Sequence, residues 1–287
     1  MPTTDNIMPP MMQEDIRRYY EQNWKSSDQN AKADADLAYS GPVDDAVVYP
    51  IYQQLLRDLK VTVDGGNILD VGAGSGRWVR YFLQRFVPAS LMGIDFTQAS
   101  VDLLARRYIN GPVATSFRVA DLTQPEMDLG QKFDLINVMN VLFHIPEPDR
   151  FMHAMRNLAA HLAPGGRIVT TEYLPRQTMR TNWMLVRSRY DFEAAVSAVG
   201  LRIIAVKASN FFSNDPMGLE GHDTGTRSQF NNVKAGMDQI LSICNNADSK
   251  AFFVKFLTDV ENAILGFCRD RISDQELPSQ KLVVLGQ

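Results

Sequence analysis

The chain has 287 residues, 45% hydrophobic and 22% charged, which suits one large or two small globular domains with a real core. A formal net charge of −4 and a pI near 5.6 argue against nucleic acid as the main partner, because phosphate binding needs a basic footprint. No apolar run approaches the length of a membrane helix. The opening "MPTTDNIMPPMMQED" lacks the basic and apolar regions of a secretory signal, so a cytoplasmic protein without a membrane partner is expected.

From Gln13 the pattern is helical, with Ile16, Tyr20 and Trp24 on one stripe. The stretch "SSDQNAKADADLAYSGPVDD" reads as polar linker and turns. A second helix is expected from about Val47 to Lys60, with Ile51, Leu55 and Leu59 on one face and Pro50 in its first turn.

From residue 67 strands and helices alternate. "NILDVG" is a strand and "RWVRYFLQRF" its helix. "SLMGIDF" is the next strand, and "TQASVDLLARRYI" follows with Thr97 as N-cap. "ATSFRVADL", "FDLINVMNV", "GGRIVTTEYL" and "LRIIAVKAS" supply four more strands, with helices in "DRFMHAMRNLAAHL" and "YDFEAAVSAVG". Such alternation implies an α/β fold built on a parallel, doubly wound sheet. After Asn210 it stops: a Gly- and Asp-rich loop leads into two helical patterns, Phe230 to Cys244 and Phe253 to Phe267, and "KLVVLGQ" is a short last strand. Cys244 and Cys268 are expected to be buried thiols, and four histidines without tight His/Cys spacing offer no metal site.

The segment "ILDVGAGSGRW" lies between a strand and a helix, where backbone amides can face a ligand. Gly72, Gly74 and Gly76 form G-x-G-x-G, whereas a dinucleotide fingerprint places its third glycine one residue later. Asp95 ends the second strand, where a carboxylate can accept the hydroxyls of a ribose. Nicotinamide enzymes and other nucleoside binders share that device, so these residues point to a ribose without choosing between them.

The order of motifs resembles the class I S-adenosylmethionine-dependent methyltransferases, specifically the small-molecule group. "LDVGAGSG" resembles the first motif, "GIDFT" the second, "VADL" the third, "FDLINVMNVLFHI" the fourth and "LAPGGRIVTTEY" the fifth. The resemblance spans residues 67–174 and continues more weakly to about 208. It implies a Rossmann-like seven-stranded sheet whose last strand, 281–285, inserts antiparallel between the fifth and sixth. It also implies S-adenosylmethionine as cofactor, held by Asp70, Gly72, Ala73, Gly74, Gly76, Asp95, Phe96, Asp121, Leu122 and Val138. Tyr20, with Tyr19, would close over the methionine end.

The implied organisation is an N-terminal helical cap over 1–60, a core over 61–210, a lid insertion over 211–278 and a last core strand over 279–287. The lid follows from geometry: a parallel sixth strand ends on the ligand side of the sheet, and an antiparallel seventh begins there. The apolar faces at Phe253, Phe256, Val260 and Phe267 suit either a lid or a homodimer contact.

Methyl transfer from a sulfonium needs alignment and exclusion of water, and a hydroxyl or ammonium acceptor also needs a base. The candidates are His144, just past the fourth strand, and His222 beside Asp223 in the lid loop. Glu172 at the end of the fifth strand is a third candidate, with a loop cap as its rival reading. Trp24, Trp183 and Tyr190 could wall an aromatic pocket, although core packing is the commoner role of such residues. "NVMN" lacks the prolines of an adenine amino-methylating tetrapeptide, and without an evident carboxylate cluster an oxygen nucleophile on a small molecule is the first choice of acceptor, with nitrogen and carbon open. A nicotinamide-dependent oxidoreductase and a non-catalytic cofactor-binding subunit are the alternatives.

Overall fold

The computed structural model describes residues 12–27, 42–180, 184–210, 224–244, 246–277 and 279–287. Two N-terminal helices, α1 (Gln13–Ser27) and α2 (Pro42–Asp58), precede the alternating core. The core runs β1 (Asn67–Val71), α3 (Arg77–Arg85), β2 (Ser90–Asp95), α4 (Gln98–Tyr108), β3 (Ala114–Val119), β4 (Phe133–Val138), α5 (Pro148–His161) and β5 (Leu162–Glu172). A small hairpin, β6 (Met179–Arg180) and β7 (Leu185–Val186), leads to α6 (Arg189–Ala198) and β8 (Arg202–Asn210). Helices α7 (Thr224–Ile243) and α8 (Ala247–Arg269) then return the chain to β9 (Gln280–Gly286).

The main sheet has seven strands in the order β3-β2-β1-β4-β5-β9-β8. Strands β1 to β5 pair in parallel, and β9 runs antiparallel to both β5 and β8. This is the doubly wound sheet with an antiparallel last strand that the motif order implies.

Side chains alternate faces along a strand, and that period divides the core in two. Leu69, Val71, Ile136, Val138, Val283 and Leu285 pack with Phe151, Met155 and Leu158 of α5 and Phe192 of α6. Ile68, Leu135, Leu282 and Val284 pack on the other face with Tyr52 and Leu55 of α2, Trp78 and Phe82 of α3, and Leu104 of α4. By the same period Asp70 and Asn137 fall on the α2 face, and they are register partners across β1 and β4.

Helix α2 departs from the sequence expectation. It starts at Pro42, so Pro50 lies in its interior rather than its first turn. The last residues of the supposed linker are therefore helical. An aromatic cluster of Tyr49, Tyr52, Trp78, Tyr81 and Phe82 clamps α2 to α3, with ring centroids 4.5 Å apart for Tyr49 and Tyr81 and 4.6 Å for Tyr52 and Trp78. Arg77 completes the clamp by pairing with Asp45 at 2.6 Å.

Helix α8 packs on α2 and β8: Leu257 and Leu265 share a buried cluster with Val47 and Ala208. Arg269 donates to the Ala208 carbonyl at 2.8 Å. Phe256 and Phe267 are exposed on the opposite side of α8, and Phe253 is half-buried. Cys244 and Cys268 are free thiols, half-buried rather than buried. The β6–β7 hairpin, which the sequence reading lacks, is only four residues of strand, too short to carry a periodic signal.

Gly93 of β2 lies opposite Phe117 of β3. A Cβ there would stand 2.8 Å from the Phe117 ring and 3.3 Å from the Ala73 Cβ, so the strand approaches its neighbours too closely for a side chain. Gly93→Ala should therefore cost about 1–3 kcal/mol in a denaturant titration. Adding Phe117→Leu should return part of that loss. Simple additivity in the double-mutant cycle would show that the two sites do not touch.

Candidate active site at the carboxyl ends of the strands

Strand β1 ends in a turn where Gly72, Gly74 and Gly76 all have positive φ. At Gly72 a Cβ would lie 2.5 Å from Val141 Cγ2, so glycine here lets the turn tuck against the segment after β4. The turn's amides are largely engaged within the chain. Gly72 and Ala73 both donate to the Ile94 carbonyl (2.8 and 3.0 Å), Gly74 donates to Asp95 Oδ2 (3.0 Å) and Gly76 to the Ala73 carbonyl (2.8 Å). Ser100 and Arg107 of α4 grip the carbonyls of Gly74 and Ser75. The expected cradle of ligand-facing amides is therefore not formed by these four residues. What the turn presents to a ligand is close backbone approach and two carboxylates.

Asp95 is 4% exposed and accepts three bonds from the chain: the Gly74 amide on Oδ2, and the Thr97 amide and hydroxyl on Oδ1. Roughly one of a carboxylate's four or so lone-pair sites remains for a ribose hydroxyl. Thr97 does stand at the N-cap of α4, but its hydroxyl serves Asp95 and makes no cap bond. Burial raises the Asp95 pKa, against these bonds.

Asp70 is buried deeper in its needs. Its Oδ1 accepts from the Asn137 amide at 2.8 Å, while Oδ2 has no partner among the described residues. Asn137 in turn accepts from the Tyr52 hydroxyl at 2.8 Å. Burial, with a further push from Asp95, lifts Asp70 to about 7 against the help of Asn137. Buried polar atoms are seldom left unmatched, so Oδ2 is a position where a donor from a ligand would fit.

The other sequence candidates distribute around this centre. Ala73, Leu122 and Val138 are buried beside it, and half-buried Asp121 holds Thr123 through its amide and hydroxyl. Tyr20 of α1 reaches across to the β2 and β4 ends. Its hydroxyl lies 3.4 Å from His144 Nε2, and its ring stands 6.3 Å from that of Phe96. His222, Asp223 and Trp183 lie outside the described residues, as does the side chain of Trp24. Tyr190 is 79% exposed on α6 and walls no pocket. His153 and His161 are structural: His153 contacts the Thr123 carbonyl, and His161 takes the Leu129 amide on Nε2 and meets the Asn157 carbonyl through Nδ1.

Sequence reasoning missed Arg187, since one arginine after a loop carries no signal by itself. It is buried, its guanidinium lies 3.4 Å from the Phe151 ring centroid, and it donates to the carbonyls of Leu142 (3.4 Å) and Ile145 (2.7 Å). Those two carbonyls flank Phe143 and His144, so Arg187 fixes the turn that carries the candidate base. Asn137 and Tyr52 were also missed, because their meaning depends on which face of the sheet each occupies. Among the described residues no group of His, Cys, Asp or Glu is arranged to hold a metal, and no helix is long and apolar enough to cross a membrane.

Residues 68–166 match the family described as "Methyltransferase domain". That stretch, from β1 to the start of β5, is what this chain shares with methyltransferase domains. Among curated proteins, the ubiquinone biosynthesis O-methyltransferase of Coxiella burnetii is 28% identical over 109 residues, 38% of this chain and 44% of that protein. The Bordetella avium protein of the same name is 24% identical over 119 residues, 42% of this chain and 47% of its own length. The match thus spans less than half of these relatives. Among solved structures, the 1,6-didemethyltoxoflavin-N1-methyltransferase of Burkholderia thailandensis aligns with a TM-score of 0.51 at 18% identity, over 70% of this chain and 85% of its own. DesVI of Streptomyces venezuelae gives 0.50 at 19%, over 63% and 94%. Both share the fold of this core.

Glu172 ends β5 buried, with its pKa lifted by burial to about 8 although Arg187 opposes the shift. A folded-state pKa above the unfolded value means that the folded domain holds a proton the unfolded chain has released. Its contribution to stability therefore falls as pH rises from about 4.5 to about 8 and levels off above. Glu172→Gln should flatten that part of the stability profile in chemical denaturation between pH 5 and 8. An unchanged slope would mean that Glu172 is ionised in the folded domain.

Proposed function

We propose that this chain is an S-adenosylmethionine-dependent methyltransferase acting on an oxygen nucleophile of a small molecule. One observation carries the choice of cofactor: the glycine turn offers a buried carboxylate oxygen with no donor of its own, Asp70 Oδ2, while its Gly72, Ala73, Gly74 and Gly76 amides are already engaged. Such a turn receives a cation and a ribose. A dinucleotide's pyrophosphate would meet two aspartates and few free amides, which counts against the nicotinamide alternative.

S-adenosylmethionine supplies a methyl group already activated by its sulfonium, so the protein's task is alignment and exclusion of water. Asp70 takes the ammonium of the methionine moiety, and Asp95 a ribose hydroxyl. Asp121 and the Leu122 backbone serve the adenine edge. Val138 and Ala73 supply apolar wall, and Tyr20 with Phe96 closes the site from the α1 side.

His144 is the base that we assign. It stands at the strand ends, half-buried, on a turn fixed by Arg187, and imidazole titrates near neutrality. Burial favours the protonated form of Glu172, which makes it the weaker candidate. His222 and Asp223 remain candidates from the lid segment over 211–278, which we read as covering the acceptor. Oxygen as the acceptor atom is supported by the names of the curated relatives and by the absence of an adenine-type tetrapeptide at "NVMN".

Transfer of labelled methyl from S-adenosylmethionine to a panel of phenols, hydroxy acids and amines tests the reading. Phenolic or hydroxyl acceptors should be labelled. His144→Ala should lower turnover roughly 100-fold or more while S-adenosylhomocysteine affinity stays within a few-fold. Full turnover in that variant would remove His144 as the base. One-to-one cofactor binding without transfer to any acceptor would favour the non-catalytic subunit.

A further inference from the structure

The family match begins at residue 68, yet the carboxylate at the centre of its glycine turn is reached from outside it. Tyr52 lies on α2, in the N-terminal segment, and is fully buried. Its hydroxyl donates to Asn137 Oδ1 at 2.8 Å, and Asn137 Nδ2 donates to Asp70 Oδ1 at 2.8 Å. An amide side chain has one accepting and one donating end, and the Tyr52 hydroxyl, by holding the accepting end, supports the orientation that turns the donor to Asp70. With Tyr52 in place, the donor faces Asp70 and occupies Oδ1, leaving Oδ2 open.

We propose that Tyr52 and Asn137 are positioning residues that set the charge and the free oxygen of Asp70, so that helix α2 controls how tightly the core captures its cofactor. This rests on the methyltransferase reading above and adds to it a determinant outside the matched domain. Without the Tyr52 hydroxyl, Asn137 loses its orienting partner and can turn its oxygen toward Asp70. Two acceptors would then face each other, which favours the protonated acid and weakens capture of an ammonium.

The neighbouring groups are few. Asp95 on β2 pushes the Asp70 pKa upward, Asn137 on β4 lowers it, and burial is the largest influence. Tyr52 on α2 is itself pushed well above its usual value and stays a neutral donor throughout. Burial disfavours the ionised form of Asp70, and a protonated Asp70 must lose its proton to meet an ammonium. Affinity should rise with pH until Asp70 is ionised, by about tenfold per pH unit well below its midpoint.

The cluster on α3 contains a matched control. Tyr81 is 2% exposed, packs against Tyr52, and its hydroxyl has no partner among the described residues. Tyr81→Phe removes the same atom from the same cluster without touching Asn137.

Calorimetric titration with S-adenosylhomocysteine at pH 6, 7 and 8 provides the test, in buffers of different ionisation enthalpy so that proton release is read directly. Thermal melts confirm that each variant is folded. The wild type should bind more tightly at pH 8 than at pH 6 and release a proton on binding below pH 7. Tyr52→Phe should bind about fivefold or more weakly at pH 7, with its pH midpoint moved upward, while Tyr81→Phe matches the wild type. If Tyr52→Phe does not fold, Asn137→Ser keeps the Tyr52 ring contacts and carries the same expected shift. A wild-type affinity and midpoint in the folded variant overturns the positioning role and leaves the cofactor reading standing. Failure of the wild type to bind S-adenosylhomocysteine at any pH overturns both.

Discussion

A carboxylate buried at the middle of a sheet is the constraint around which this molecule is arranged. Asp70 sits on β1, where the strand order turns outward to β2 on one side and β4 on the other. Crevices in open α/β sheets form at such reversals. Desolvation makes an ionised group there costly, and one amide from Asn137 is a partial answer. The remaining oxygen has no donor among the described residues, and burial raises the pKa of the group. Helix α2, the aromatic clamp to α3 and the pinning of the glycine turn by α4 surround that one group.

Closure above the turn has a different physical character. Tyr20 reaches His144 across a long bond, and its ring meets Phe96 at a distance typical of loose aromatic contact. The β4 side of the opening is stiff by comparison. Arg187 binds two carbonyls of one short turn while stacked on Phe151, and Asn140, with φ of 59°, receives its geometry from Thr171 and Gln280. The opening thus has a rigid rim on one side and a lighter cover on the other.

The core was legible because its physics is periodic. Buried parallel strands such as "NILDV" and "FDLINV" read as continuous apolar runs, and the glycines and Asp95 stood out by spacing. Pro50 misled the reading of α2, since local chemistry argued for a helix start where the Trp78 and Tyr81 contacts sustain a helix through it. Asn137 and Arg187 were illegible for another reason. Each acts through a contact more than 40 residues away in the chain, with Leu142 and Ile145 for the arginine and with Tyr52 and Asp70 for the asparagine. Nothing in a local window distinguishes them from other polar residues.

The position of β9 has a consequence for how the molecule is made. It lies between β5 and β8, and its Lys281 ammonium is sealed by the carbonyls of Tyr173, Leu277 and Ser279. On a ribosome β8 emerges first, but it has no neighbour in the sheet until β9 follows. Through that interval β5 presents an open, apolar edge, and the nascent chain is at its most vulnerable to pairing with another copy of itself. The two long helices between β8 and β9 lengthen the wait. The length of that exposed interval is therefore set by the strand order, independent of how stable the finished sheet becomes.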